Sequence, residues 1–236
     1  MSNPFFRFKH FIVRHDGCAM KVGTDGCVLG AWTRLPHEAS VLDVGTGTGL
    51  VALMLAQRGA QSATGIDIDE GAVRQARLNA AMSPWADKIE VEQADFNHFI
   101  PPRLFDVVVC NPPFFENSLK CPDSQRTIAR HADALTPTAL VNGSLACLKP
   151  QGCLSVIIPT DKRTNYVAEA IGAGFVLARE TQLITCQGRA PKRLLMEFSK
   201  SPIASGCIAD QLVVEQAPGV YSDTFRELLR DFYLRF

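Results

Sequence analysis

Val41-Leu-Asp-Val-Gly-Thr-Gly-Thr-Gly-Leu-Val-Ala-Leu-Met-Leu-Ala56 reads as a strand, a glycine turn and the opening of a helix. Leu50, Leu53 and Met54 fall on helical spacing directly after the turn. Gly45, Gly47 and Gly49 lack the Cβ that would hold a ligand away from the main chain. A Gly-x-Gly-x-Gly run on its own is common; its place between a strand and a helix is the setting of a nucleoside-cofactor loop. A second strand, Ala63-Thr-Gly-Ile-Asp-Ile-Asp69, brings Asp67 to its end. A carboxylate there, roughly twenty residues past the glycines, accepts hydrogen bonds from ribose hydroxyls. Asp69 supplies the cap for the helix that follows, Gly71 to Met82. Strand three, Ile89-Glu-Val-Glu-Gln93, leads to Asp95 and Phe96. Asp95 suits the exocyclic amine of an adenine with Phe96 against its ring, or an ordinary Asp turn.

Strand four, Val107 to Cys110, is short, β-branched and free of polar alternation, which marks it as buried on both faces. It stops at Asn111-Pro112-Pro113-Phe114 because proline gives no N–H and drives its predecessor out of the α region. The turn is either a rigid loop or a pocket in which an amide, proline carbonyls and an aromatic face meet a flat ring bearing an NH2 group. Cys110, the last strand residue, is assigned to packing. Beyond it, 116 to 131 is polar and irregular, with Arg126, Arg130 and His131 available to a substrate; the histidine is read as structural or substrate-orienting. A helix over Leu135 to Leu148, a fifth buried strand over Gly152 to Pro159, a helix at Tyr166 to Ile171 and strands at Phe175 to Leu183 and Leu194 to Phe198 complete the core. Gly188 to Arg193 is a basic loop whose Lys192 and Arg193 suit phosphates or simply solvent. A last amphipathic helix is expected over Tyr221 to Phe236.

Ahead of the glycine turn, Phe5 to Val22 reads as a hairpin turning at Asp16-Gly17. Its aromatic and basic residues stack on nucleic acid or cover the sheet. A helix through Val28, Leu29 and Trp32 follows, with Thr24 or Asp25 as its N-cap and Lys21 beside a start that suits a carboxylate. The whole is one doubly wound, mostly parallel α/β domain: 1–34 as hairpin and cap helix, 38–200 as core, 201–236 as a further strand and helix. Formal net charge is zero, yet Met1 to Arg34 carries five Lys/Arg against two Asp/Glu and Glu38 to Asp106 five against ten. A bulk nucleic-acid binder is more basic than this. The eight cysteines include no Cys-x-x-Cys, which argues against zinc and disulfides and for a reducing cytoplasm. No stretch has the roughly 18 apolar residues of a membrane span.

Asp43-Val-Gly-Thr-Gly-Thr-Gly49, Asp67, Asp95 and Asn111-Pro-Pro-Phe114 together resemble the class I S-adenosylmethionine-dependent methyltransferases that act on amino nitrogens. Cys18-Ala-Met-Lys-Val-Gly-Thr-Asp-Gly26, Leu29-Gly-Ala-Trp32, Leu53-Met-Leu-Ala-Gln-Arg58, Ser83-Pro-Trp85 and Asp231-Phe-Tyr-Leu234 narrow the resemblance to the bacterial family that N6-methylates adenine 37 of a valine tRNA. Phe114 stands where that motif more often has tyrosine, at the cost of a phenolic hydrogen bond. The resemblance implies a Rossmann-like sheet of seven strands and S-adenosylmethionine held by Lys21, Thr24, Asp25, Gly26, Asp43, Gly45, Gly47, Gly49, Asp67, Ile68, Asp95, Phe96 and Asn111. It implies an adenine gripped by Asn111, Pro112, Pro113 and Phe114, and an anticodon loop met by Arg126, Arg130, His131, Lys192 and Arg193. It further implies a cytoplasmic monomer without metal. Methylation of a protein glutamine amide or a small amine remains open at this stage; the former enzymes usually carry an N-terminal helical domain that is absent here.

Overall fold

The computed structural model describes residues 3–16, 21–113, 135–202 and 206–236. Phe114, Arg126, Arg130 and His131 therefore lie outside the described residues. A hairpin of β1 (Phe5–Arg7) and β2 (Ile12–Arg14) leads to α1 (Thr24–Trp32). The first half of the core is β3 (Ser40–Val44), α2 (Leu50–Gln57), β4 (Ser62–Asp67), α3 (Glu70–Ala81), β5 (Ile89–Gln93), a 3-10 turn (Phe96–His98) and β6 (Phe105–Cys110). The second half is α4 (Pro137–Cys147), β7 (Leu148–Pro159), α5 (Arg163–Gly172), β8 (Val176–Cys186), β9 (Arg193–Ser199), β10 (Ile208–Ala217), β11 (Val220–Tyr221) and α6 (Asp223–Leu229).

One sheet of nine strands runs β11-β10-β8-β9-β7-β6-β3-β4-β5. From β5 across to β7 every pairing is parallel; β9 lies antiparallel between β7 and β8. The strand order reverses between β3 and β6, which opens a crevice beyond their carboxyl ends. The sheet is wider than the seven strands expected. β10 adds parallel to β8 and β11 folds back antiparallel on it.

Alternate residues of the central strands feed two apolar layers. Val41, Val107 and Val109 join the layer under α1, α2 and the hairpin, while Leu42, Val44, Val108 and Cys110 join the one under α4 and α5. Every residue of β3 is buried, as its position in mid-sheet requires. Leu50 to Ala56 of α2 are all buried too, so that helix is enclosed on every side.

Two terminal expectations are corrected. The hairpin of β1 and β2 reverses over Phe8 to Phe11, closed by the Phe8 N–H on the Phe11 carbonyl at 2.9 Å; Asp16 stands in a turn, and Gly17 lies outside the described residues. Phe8 and Phe11 stack at 4.5 Å and are buried, so this turn is held by the burial of two rings. The hairpin is thus a packing arm, with Phe6 against Tyr233 and Phe11 edge-on to Trp85. At the other end, helix α6 stops at Leu229 instead of reaching Phe236. Tyr233 and Phe236 turn back onto Phe225 and Tyr221, and Lys9 Nζ donates to the Phe236 carbonyl at 2.8 Å. Among the described residues no helix is long and apolar enough to cross a membrane.

Helix α1 reaches α2 through Gly30, where an added methyl would lie 2.8 Å from Met54 Sδ and 2.9 Å from its Cβ. Gly30→Ala should therefore destabilise the protein by about 1–3 kcal/mol, by overpacking. The expected result is a lower urea midpoint at unchanged slope; an unaltered midpoint would show that the helices separate freely.

Candidate active site

The chain leaves β3 into a turn whose Gly45 and Gly47 have φ of +69° and +55°, angles that strain any residue with a Cβ. The Gly45 and Thr46 N–H groups both donate to the Ile66 carbonyl at 2.9 Å, and the Gly47 N–H donates to Asp67 Oδ2 at 2.9 Å. The turn is therefore bound to the end of β4. Thr46 also packs against Gly65 in β4, where a methyl would stand 2.8 Å from its Oγ1; sequence reasoning passed over that glycine. Gly49 differs from its neighbours. At φ +79° it begins α2, and its absent side chain admits Ala76 of α3, whose Cβ is 3.3 Å from the ideal Cβ position. It packs between helices and is not among the residues that line the cavity above the turn.

Above this turn lies a cavity of about 850 Å3 at the carboxyl edge of the sheet. The loops after β3, β4, β5 and β6 each supply a wall, through Gly45 to Thr48, Asp67 to Asp69, Ala94 to Asn97, and Asn111 with Pro113. The start of α1 closes a fifth side with Lys21, Gly23, Thr24, Asp25 and Gly26. Nothing lies within 4 Å of a Cβ built on Gly45, so the turn faces open space on that side. Glycines, carboxylates and apolar side chains around such a space suit an adenosine-bearing cofactor with a charged tail.

Neither Thr24 nor Asp25 caps α1. Gly23 is its N-cap and supplies no side-chain cap, so among the described residues that positive helix end lies uncapped at the cavity. Asp25 instead pairs with Arg193, Oδ2 to Nε at 2.9 Å. Arg193 lines the cavity; Lys192 does not.

The two carboxylates after β4 have separate tasks. Asp69 caps α3, accepting from the Gly71 N–H at 2.8 Å. Asp67 accepts from the Gly47 N–H through Oδ2 and from the Asp69 N–H through Oδ1 at 3.0 Å. Each Asp67 oxygen retains a lone pair toward the cavity. Ile68, 53 % exposed, offers an aliphatic surface beside it.

Asp95 both caps the 3-10 turn and lines the cavity. Partial burial raises its pKa, but bonds from the Asn97 N–H and from His98 Nδ1 and Asn97 Nδ2 outweigh that and hold the carboxyl below its ordinary value. The Phe96 ring is largely packed against Gly143 of α4, where a methyl would lie 2.6 Å away, and the remainder borders the cavity. Asn111 is half-buried at the cavity wall, Pro113 lines it, and Pro112 is buried behind them.

Asp43 sits under the turn, 2 % exposed, its Oδ2 accepting from Thr46 Oγ1 at 2.7 Å and the Ala52 N–H at 3.2 Å. Burial raises its pKa from 3.8 to about 6 despite those bonds, with nearby Asp67 adding to the rise. Cys110 is fully buried in the core, and burial, with Asp43 and Asp67 nearby, drives its thiol pKa well above the usual value. Thr185 from β8 and Leu135 also line the cavity. Sequence offered no signal for either, since only the strand order brings β8 there. Among the described residues no group of His, Cys, Asp or Glu could hold a metal.

Comparison with known proteins follows the same lines. A methyltransferase domain model matches residues 41–138. The chain is 48 % identical to the tRNA1(Val) (adenine(37)-N6)-methyltransferase of Phocaeicola vulgatus over 99 % of both chains. It is 40 % identical to the like-named protein of Klebsiella pneumoniae over 97 % of this chain and 94 % of that one. Among solved structures it resembles a predicted O-methyltransferase from Agrobacterium tumefaciens, with TM-score 0.69, 18 % identity and coverage of 88 % and 96 %. The ribosomal protein L11 methylase of Lactobacillus delbrueckii subsp. bulgaricus gives 0.59, 18 % identity and coverage of 80 % and 84 %. Likeness at that identity is one of fold.

The raised Asp43 carboxyl has a signed effect on stability. Between pH 3.8 and about 6 the native state holds a proton that the unfolded chain has released. This contribution is complete below pH 3.8 and is lost as pH rises through about 6. The amount lost is roughly 3 kcal/mol, at about 1.4 kcal/mol per pKa unit. Urea unfolding from pH 4 to 7 should show the wild type losing stability relative to Asp43→Asn by that order. Parallel pH profiles would mean the carboxyl titrates normally.

Proposed function

The chain belongs to the tRNA1(Val) (adenine(37)-N6)-methyltransferase family, and on that footing we propose that it methylates N6 of adenine 37 in the anticodon loop of tRNA1(Val). It is a methyltransferase, and S-adenosylmethionine is its cofactor. A tRNA substrate places the reaction in the cytoplasm.

The cavity fits that cofactor residue by residue. Lys21 and the uncapped start of α1 attract the carboxylate of the methionine part. Gly45 and Gly47 let the main chain approach that part closely. Asp67 accepts from the ribose hydroxyls with the lone pairs its two backbone bonds leave over. Ile68 and the edge of Phe96 cover the adenine faces, and Asp95, held ionised, accepts from the adenine amine. When bound, S-adenosylmethionine supplies an electrophilic methyl group on a positively charged sulfur.

The observation that carries the reading is that Asn111 and the glycine turn border one cavity. The exocyclic nitrogen of adenine is a poor nucleophile because its lone pair is delocalised into the ring. Asn111 Oδ1 and the Pro112 carbonyl accept hydrogen bonds from its two N–H groups and so help to localise the lone pair on nitrogen, toward the methyl. Proline at 112 and 113 fixes φ on both sides of this carbonyl, so the acceptors are set in advance. Phe114, next in the chain, is the residue type that stacks on an extruded base. These residues act by positioning and dipole, without a covalent protein intermediate.

The test is to incubate labelled S-adenosylmethionine with unmodified tRNA and digest to nucleosides. The expected product is N6-methyladenosine. Asn111→Ala should lose about a hundredfold in turnover, the size of one lost transition-state acceptor. Calorimetry should find cofactor affinity within about threefold of wild type. Label on another nucleoside, or full turnover in the variant, would overturn the assignment.

A further inference from the structure

A second cavity, about 310 Å3, adjoins the first and shares Thr24, Asp25, Thr185 and Arg193 with it. The Asp25–Arg193 ion pair, 2.9 Å long, belongs to both linings and so forms part of the partition. On its far side the cavity is lined by Leu183 and Val214, both buried, by exposed Lys192 and by Glu215. Glu215 Oε2 also accepts from the Gly219 N–H at 3.2 Å, which steadies the carboxylate at the β10–β11 turn.

These are the three surfaces that a nucleotide needs. Apolar side chains meet the face of a base, a cation meets its phosphate, and a polar group meets its edge. The volume lies at the low end of small-ligand sites, roughly 300–1,000 Å3, the scale of a single nucleoside. An adenine drawn out of a loop to reach Asn111 leaves its neighbour in the strand without a stacking partner. A compartment that shares the wall of Thr24, Asp25, Thr185 and Arg193 with the first cavity offers that neighbour a place. We propose that the second cavity is a subsite for the nucleotide adjoining the methylated adenine, and that Glu215 selects its base; this rests on the tRNA reading above. Arg193 is committed to Asp25, so attraction of the phosphate falls to Lys192. A carboxylate only accepts hydrogen bonds, so Glu215 favours a base whose edge carries an amino group and disfavours uracil, whose single N3–H is flanked by two carbonyl oxygens that repel it.

The experiment uses the full chain and anticodon-arm RNAs with each of the four bases on either side of the target adenine. Formation of N6-methyladenosine gives kcat/KM for each RNA. The wild type should disfavour uridine at one of the two positions by about tenfold, the size of one lost base contact. Glu215→Ala should flatten that preference to within about twofold, while calorimetry finds cofactor affinity unchanged. Glu215→Gln, whose amide oxygen still accepts, should restore part of it. Lys192→Ala should weaken all RNAs alike and lower the salt dependence by about one counterion. A wild type indifferent to both neighbours, or a preference identical in Glu215→Ala, overturns the subsite and leaves the methyltransferase reading intact. Absence of N6-methyladenosine from every RNA with the wild type overturns that reading, and the subsite with it.

Discussion

The carboxylate of Asp67, at the last position of β4, holds the Gly47 N–H through one oxygen and the Asp69 N–H through the other. Together with the Ile66 carbonyl, which takes the Gly45 and Thr46 N–H groups, it binds the glycine turn to the neighbouring strand. A turn with two positive φ angles is entropically costly to order. Three backbone donors of the turn, gathered on the end of β4, offset that cost. With the turn fixed, Asp43 is enclosed beneath it and the cavity stands open above it. The direction of α2 and the floor of the cavity then follow from one set of hydrogen bonds.

Much of this could be read directly in the chain. Val41 to Ala56 carries its own structure because a central parallel strand is apolar on both faces and the turn after it needs glycine. The capping task of Asp69 was likewise legible, since a helix start requires one such oxygen, whereas the hold of Asp67 on the Gly47 N–H was not. Asn111-Pro-Pro declared its own stop. In each case the signal is local and lies in backbone geometry.

What escaped reading depends on contacts far apart in sequence. Gly65 and Gly143 look like ordinary interruptions until Thr46 and Phe96 are laid against them. Arg193 reads as one more cation in a basic loop, yet its partner is Asp25 at the other end of the sequence. No turn dipeptide marks the reversal at Phe8 to Phe11, which follows the burial of two rings. The last residues continue a helical pattern, but Tyr233 and Phe236 gain more by closing on Phe225 and Tyr221 than by extending α6. Propensity decides where nothing else competes; burial of rings decides where it does.

Cys110 stands one residue before Asn111, next to the place where an electrophilic carbon is delivered. A thiolate is a far softer and faster nucleophile than an aromatic amine, so an ionised sulfur there would be alkylated by the enzyme's own reagent. Cys110 is fully buried in the layer under α4 and α5 and is not among the residues that line the cavity, and burial, with Asp43 and Asp67 nearby, raises its thiol pKa further. One strand end thus turns its soft sulfur into the core and the next residue's amide toward the cavity, so the two groups are sorted by which face of the chain they occupy.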